Sequence, residues 1–380
     1  MPDTATPART TAAALDLRPA AFTSPWGRVL RVFAWLSFLT ETIIIGTGGA
    51  VRLTGSGLGC SEWPLCTPES LVPILADQGI HGAIEFGNRL MTGVVGVIAL
   101  VVVLLVLHLT DGSRSVFRAL RYAAGGIVAA AAAFAVVTLT GLPVPAFPVA
   151  SAVLLLAVIA AAIHTTRRTS TRRDLLVLAW VVFAGVMAQA LVGGITVLTG
   201  LNPFIVGFHY TSSLLLVCVT AAFLVRLYAA PGPRERAVPT WFMILSHVTG
   251  LALAVTILFG VLTTGSGPHS GDQDVLRHGF DATVLAHVHS WPGYILAALV
   301  LALTIAAWAL RLPPRKWLVV LVLAIAVQVG VGVWQARAGL PPLLVGIHMV
   351  LASLSAATYT VVVLKLKRPV ADEVSTPSAG

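Results

Sequence analysis

Charge is what this 380-residue chain has least of. Asp, Glu, Lys and Arg make up 10% of it, against 57% hydrophobic residues and a mean hydropathy of +0.92. A soluble fold of this length cannot hide that much apolar surface, so soluble enzymes and soluble binding modules are excluded. Cysteine is scarce as well. Cys60 and Cys66 share one short segment, Cys60-Ser61-Glu62-Trp63-Pro64-Leu65-Cys66, and Cys218 lies inside an apolar run. A lone Cys pair with no further ligand nearby is incomplete as a zinc site. On an oxidising membrane face it reads either as a loop disulfide or as two free thiols.

Long apolar runs are abundant. Ten of them reach the roughly 18 to 20 residues that cross a bilayer. They lie at about 28–50, 83–107, 118–140, 145–165, 174–198, 205–229, 239–263, 284–310, 316–337 and 342–365. The net charge of +9 resembles a nucleic-acid signal until it is mapped. All but four of the 24 Lys and Arg fall on one side of this topology; Arg52, Arg89, Arg277 and Arg337 are the exceptions. That is the positive-inside bias, and it puts both termini in the cytoplasm. The basic charge orients the protein, and no nucleic-acid partner is expected. Residues 1–27, rich in Ala, Thr and Pro, and the polar residues 367–380 are expected to be disordered cytoplasmic tails. The first apolar run is too long for a signal-peptide core and no cleavage site follows it, so it is expected to remain as the first span.

One block occurs twice. Pro203-Phe204-Ile205-Val206-Gly207-Phe208-His209 returns 139 residues later as Pro342-Leu343-Leu344-Val345-Gly346-Ile347-His348. The same offset carries Gln189 onto Gln328, Gly193 onto Gly332, Gly200 onto Gly339 and Leu201 onto Leu340. Earlier in each half, Thr54-Gly55-Ser56-Gly57 resembles Thr264-Gly265-Ser266-Gly267, and Asn88 falls on His289 at an offset of 201. The first half therefore holds 62 extra residues, two spans and their connections, which 118–165 can supply. An even number of added spans leaves the downstream orientation unchanged. The expected fold is an all-α membrane protein of two four-helix bundles in parallel repeat. The N-terminal half covers 28–230, with a helical hairpin inserted at about 118–165, and the C-terminal half covers 239–366.

Each half carries its chemistry at its second and last spans. At 1.5 Å per residue, Asn88, His209, His289 and His348 all fall within roughly 10 Å of the outer boundary. Residues at one depth on neighbouring helices can face one another across a bundle core. A pair of neutral imidazoles in an apolar bundle suits a haem iron, whereas zinc would want further ligands or water. A lone intramembrane histidine reads as a hydrogen-bonded packing residue. Two in duplicated contexts, with a third at matching depth, read as ligands. Gly193, Gly207, Gly332 and Gly346 are expected to leave room for a flat macrocycle.

Glu85 is costly at its depth and must be paired, protonated or beside water. Arg89, four residues on, is its natural partner. The pair reads as structural or, one turn from Asn88, as catalytic. The second half has Ala286 in the place of Glu85, so the halves are chemically unequal. Glu41, inside the first span, reads as an interhelical hydrogen bond. His81, one turn before Glu85, reads as an alternative ligand or a proton relay. His108, His164 and His247 read as structural, and His269 and His278 as solvated loop residues beside Asp272, Asp274 and Asp281. Most of the tryptophans, Trp26 and Trp63 among them, fall near span ends as interfacial anchors do.

Gly48-Gly49-Ala50-Val51-Arg52-Leu53-Thr54-Gly55-Ser56-Gly57-Leu58-Gly59-Cys60, followed by Trp63-Pro64-Leu65-Cys66, resembles the first outer loop of haem A synthases. The Glu85-to-Arg89 string, the histidine blocks and the two-half design are similar too, over most of 28–366 outside the inserted spans. The resemblance implies oxidation of the C8 methyl of haem O to a formyl group, giving haem A, through successive hydroxylations in a bacterial cell membrane. It implies a substrate haem on His209 in the N-terminal half and a haem b on His289 and His348 in the C-terminal half, both near the outer face. It also implies Glu85 as the catalytic carboxylate, with Arg89 beside it, and Cys60 and Cys66 as a disulfide. Haem O synthase would donate the substrate, and a terminal oxidase or its assembly factors would take the product. An electron acceptor is required besides, membrane lipid surrounds the chain, and a homo-oligomer is one assembly the design allows.

One position departs from the family pattern. Many members carry a histidine three residues after the catalytic glutamate, where this chain has Asn88, a poor iron ligand. The substrate haem is then expected on His209 alone, with an open iron position, or with His81 substituting after a local shift. His81 sits about 10 Å further along the helix at 1.5 Å per residue, which favours the first arrangement. Two other function classes compete: a bis-histidine b-type cytochrome that only passes electrons, and a repeat-built transporter with Glu85 and Arg89 in its pathway. The inequality of Glu85 and Ala286 favours the enzyme.

Overall fold

The computed structural model describes residues 20–266, 271–272 and 281–370. The tails at 1–19 and 371–380, and the loop residues His269, Asp274, Arg277 and His278, lie outside the described residues. A short α1 (Ala20–Thr23) precedes ten helices long and apolar enough to cross a membrane. These are α2 (Pro25–Leu53), α3 (Leu75–Asp111), α4 (Ser113–Thr140), α5 (Ala146–Arg168), α6 (Arg173–Leu198), α7 (Pro203–Leu227), α8 (Thr240–Ser266), α9 (Ala282–Ala309), α10 (Arg315–Arg337) and α11 (Pro342–Leu364). The protein is an all-α membrane protein, as the hydropathy pattern predicts.

Three stretches differ from expectation. Residues 20–27 are helical rather than disordered. The Ser24 side chain caps α2 by accepting from the Gly27 N–H at 3.2 Å, with Pro25 preset for the first turn. Phe22 is buried beneath the Arg172 guanidinium, 5.3 Å from the ring centre. Second, α3 begins eight residues before the apolar run, because a polar turn joins it through a kink at Gly79, where φ is +56°. Third, Lys367–Pro369 is not a free tail. It forms strand β2, paired antiparallel with β1 (Arg234–Arg236), and Arg368 meets Glu235 at 2.7 Å.

The helices pack as two similar rings. In the first, α2 lies against α3, α3 against α6, α6 against α7, and α7 closes on α2. In the second, α8 lies against α9, α9 against α10, α10 against α11, and α11 closes on α8. The hairpin α4–α5 leans on the outside of the first ring through α3 and α6. The Trp180 indole N–H donates to Thr165 Oγ1 at 2.9 Å and ties α5 to α6. The rings meet along α2, α7, α8 and α11.

The turn before each histidine block is the same structure twice. Gly200 and Leu201 have φ of +60° and +59°, and Gly339 and Leu340 have +78° and +60°. The Leu201 N–H donates to the Thr196 carbonyl and the Leu340 N–H to the Gln335 carbonyl, both at 2.8 Å. A leucine in the left-handed region is uncommon. Its recurrence at one place in both copies fixes how α7 and α11 re-enter the bundle, and hence the height of His209 and His348.

Candidate functional site

Each ring encloses a cavity near the end that carries the Cys60–Cys66 loop. In the C-terminal ring a cavity of about 1060 Å³ is lined by Thr256, Gly260, His289, Gln328, Gln335 and His348, among others. The His289 and His348 rings lie 6.2 Å apart between centres, with planes at 81°. Two imidazole nitrogens bound to one metal at about 2 Å each would put the ring centres roughly 6 Å apart. His289 Nδ1 lies 2.9 Å from the Thr256 carbonyl. A carbonyl only accepts, so Nδ1 carries the proton and Nε2 is left free to ligate. The Gln328 amide donates to the backbone carbonyl of His348 at 3.0 Å and holds that turn. Among the described residues no three His, Cys, Asp or Glu gather closely enough to hold a bare metal ion. A facing imidazole pair fits a metal that brings its own equatorial ligands, as a haem does.

The N-terminal cavity consists of two connected spaces of about 820 and 1070 Å³, which share Gly48, Arg52, Asn88, Thr92, Gln189 and His209. It offers one imidazole. His209 Nδ1 is a buried atom with no hydrogen-bond partner, and so is His348 Nδ1. Asn88 Oδ1 accepts from Thr47 Oγ1 at 2.8 Å, which keeps the amide in the wall. His81 is exposed, 2.9 Å from Ser56 Oγ, and outside this lining.

The loop-side wall is held by one ion pair. Glu85 Oε1 accepts from Arg89 at 2.5 and 3.2 Å, and Oε2 accepts from the Cys60 N–H at 2.7 Å. Arg89 also donates to the carbonyls of Cys60 at 3.0 Å and Leu65 at 2.8 Å. Cys60 and Cys66 are joined in a disulfide inside this clasp. Trp63 folds onto Gly194, where a Cβ would come within 2.3 Å of the indole, and so walls the cavity. Glu85 and Arg89 thus join the structural and the cavity-facing readings: they clamp the loop and line the space beside His209.

The glycines lie close to the imidazoles and to neighbouring helices. A Cβ on Gly332 would stand 3.0 Å from the His348 ring, and one on Gly193 would stand 3.5 Å from the His209 ring. Gly260 does the same for His289 at 2.9 Å. These glycines clear space for the imidazoles. Gly207 and Gly346 face Val261 at 2.8 Å and Leu53 at 3.2 Å and serve interhelical packing.

Residues that sequence reasoning left out form the partition between the cavities. Arg52, Tyr210 and Met349 line both. The Tyr210 hydroxyl donates to the Met349 carbonyl at 3.0 Å, and Arg52 donates to the Thr264 carbonyl at 2.9 Å. Tyr210 and Met349 each follow a block histidine, a position the 139-residue offset already marks.

Residues 31–142 match the model of a family described as cytochrome oxidase assembly protein, COX15-CtaA. A curated protein named heme A synthase, from Exiguobacterium sibiricum, is 39% identical over 72 residues. Over this stretch the chain is similar to the haem A synthase family. The identical stretch covers 19% of this chain and 23% of that relative, so the chain spans about a quarter of the relative's length. The family match takes in α2, the disulfide loop, α3 and α4. It therefore includes one of the two helices set apart above as inserted, and it ends before both histidine blocks.

Proposed function

We propose that this protein is a haem A synthase that oxidises the C8 methyl of haem O to a formyl group, with the substrate in the N-terminal cavity and a resident haem b in the C-terminal one. The observation that carries this reading is the inequality of two cavities built on one fold. One presents two imidazoles face to face, 6.2 Å between ring centres. The other presents one imidazole beside a carboxylate held 2.7 Å from a loop N–H. The family match over the first third of the chain supports it.

His289 and His348 would hold haem b, which supplies reversible one-electron chemistry. The Thr256 carbonyl orients His289 and fixes its tautomer. In the N-terminal cavity His209 positions the substrate. Asn88, held by Thr47, presents an amide there, so the opposite side has no second imidazole. Glu85 stands where a proton leaving the oxidised carbon can be accepted, and Arg89 steadies its charge. Trp63 and Pro64 of the disulfide loop wall the cavity on that side.

Haem O synthase as substrate donor, a terminal oxidase or its assembly factors as acceptor of the product, and a separate electron acceptor belong to this proposal. So do cytoplasmic termini and sites near the outer face, which the basic-residue distribution supports. Pigment extraction from the purified protein tests it. Haem b together with haem O or haem A is the expected result. Colourless protein overturns the reading, and haem b alone favours the electron carrier.

A further inference from the structure

Glu41 has no part in the reaction above, yet it sits at the inner end of the N-terminal cavity, 3% exposed, about halfway along α2. Its Oε2 lies 2.5 Å from Thr220 Oγ1, and its Oε1 lies 3.5 Å from Ser37 Oγ. Thr220 Oγ1 is also 2.9 Å from the Leu216 carbonyl. A hydroxyl has one proton, and neither a carboxylate nor a carbonyl can donate one. With one proton, Thr220 Oγ1 either shares it between the carboxylate and the Leu216 carbonyl or, when the Glu41 carboxyl is protonated, accepts from Glu41 and donates to Leu216. If Glu41 ionises, the Thr220 hydroxyl swings from Leu216 to the carboxylate, and Ser37 supplies a second donor. One rotating hydroxyl therefore serves both protonation states without moving a helix.

The surroundings say where that proton goes. On the basic-end side the core is apolar, built from Leu30, Val103, Leu176 and Phe223, around a small space beside Ser37 and Thr220. The open side is the cavity that also holds His209. The other titratable groups around Glu41 are Cys218 on α7, within electrostatic reach and hydrogen-bonded to Thr360, and, along the cavity, His209, Tyr210 and Arg52. In the connected space α3 adds Glu85 and Arg89, which pair with each other, while the lining from α6 and α11 carries no titratable group. A glutamine would serve equally well as an interhelical strut, whereas a mid-membrane carboxyl is retained at a cost.

We propose that Glu41 is a charge-compensating proton site for the redox group in the N-terminal cavity. The inference rests on the haem reading of that cavity. When the group there gains an electron, an O–H bond forms on Glu41 with a proton drawn from cavity water. When the electron leaves, that bond breaks and the proton returns. No other bond changes, and the electron's source and sink are those of the cavity group itself.

The test is a redox titration at a series of pH values, following the pigment that His209→Ala removes. The expected midpoint falls by about 59 mV per pH unit over part of the range, a tenfold change in proton activity for a one-electron couple. Glu41→Gln is expected to hold the same pigment with a pH-independent midpoint. Thr220→Val, which removes one donor to the carboxylate, is expected to move the sloping region to higher pH. An unchanged slope in Glu41→Gln overturns the proposal while leaving the haem reading intact. Protein without pigment sinks the haem reading instead, and infrared spectra then decide on Glu41. A protonated-carboxyl band at neutral pH, absent in Glu41→Gln and shifted in D2O, is expected; its absence from the wild type overturns the proposal.

Discussion

The two cavities differ at two residue positions and in the bonding of one shared glutamine. Where the C-terminal copy has His289, the N-terminal copy has Asn88, and where it has Ala286, the N-terminal copy has Glu85. Where Gln328 keeps an unpartnered side-chain oxygen facing its cavity, Gln189 is bonded to Ser212 at 2.7 Å and Ser213 at 3.1 Å. The C-terminal site is thus complete in imidazoles and lacks an acid, and the N-terminal site is the reverse. On the proposed function, one scaffold holds a permanent group in one copy and processes an exchangeable one in the other, with the ring of four helices fixing the depth and single substitutions choosing the chemistry.

The largest effect should come from deleting a member of the facing pair. His348→Ala is expected to abolish the bis-imidazole absorption spectrum; an unchanged spectrum removes His348 as a ligand. Next, Glu85→Ala should eliminate haem A while the C-terminal pigment stays, read by extracted-pigment chromatography. It should also destabilise the loop by on the order of 3 kcal/mol, because Arg89 is left with an unpaired charge in a largely buried place. Normal haem A content in that variant takes Glu85 out of the mechanism.

Asn88→His would make the copies alike. The expected outcome is a second low-spin signal from the N-terminal site, with haem A formation lowered as a second imidazole closes the open side. A spectrum like the wild type's would show that position 88 does not face the bound group. The smallest test concerns glycine. Gly332→Ala should weaken the C-terminal site, roughly tenfold in pigment retention if the imidazole is displaced. Gly193→Ala should be tolerated, since its Cβ meets His209 at an ordinary 3.5 Å. Equal effects would mean that the clearance does not matter.

Much of this was legible beforehand, for physical reasons. The spans follow from hydropathy, because a bilayer enforces length and composition. The histidines stood out because a duplicated block marks them. What the sequence hid depends on contacts between distant helices. Trp63 reads as an interfacial anchor until the loop folds it onto Gly194. Tyr210 and Met349 occupy equivalent positions but are unlike residues, so the alignment carried no hint that they touch. That Gly193 and Gly332 lie beside the imidazoles is a matter of side-chain direction, which spacing alone does not give. Phe22 looked like part of a polar tail, because composition averages over the one residue that anchors it.

The bond from Tyr210 to Met349 has a consequence for the symmetry of the molecule. Residues related by the repeat that touch each other must lie on the axis of that relation. There a symmetric pair would place two copies of one side chain in the same space. Tyrosine on one side and a bare backbone carbonyl opposite resolve that conflict in a single way. The contact can exist in one fused chain and cannot form twice in a dimer of identical halves. At this wall the two halves are therefore unlike, and the likeness of the repeat ends there.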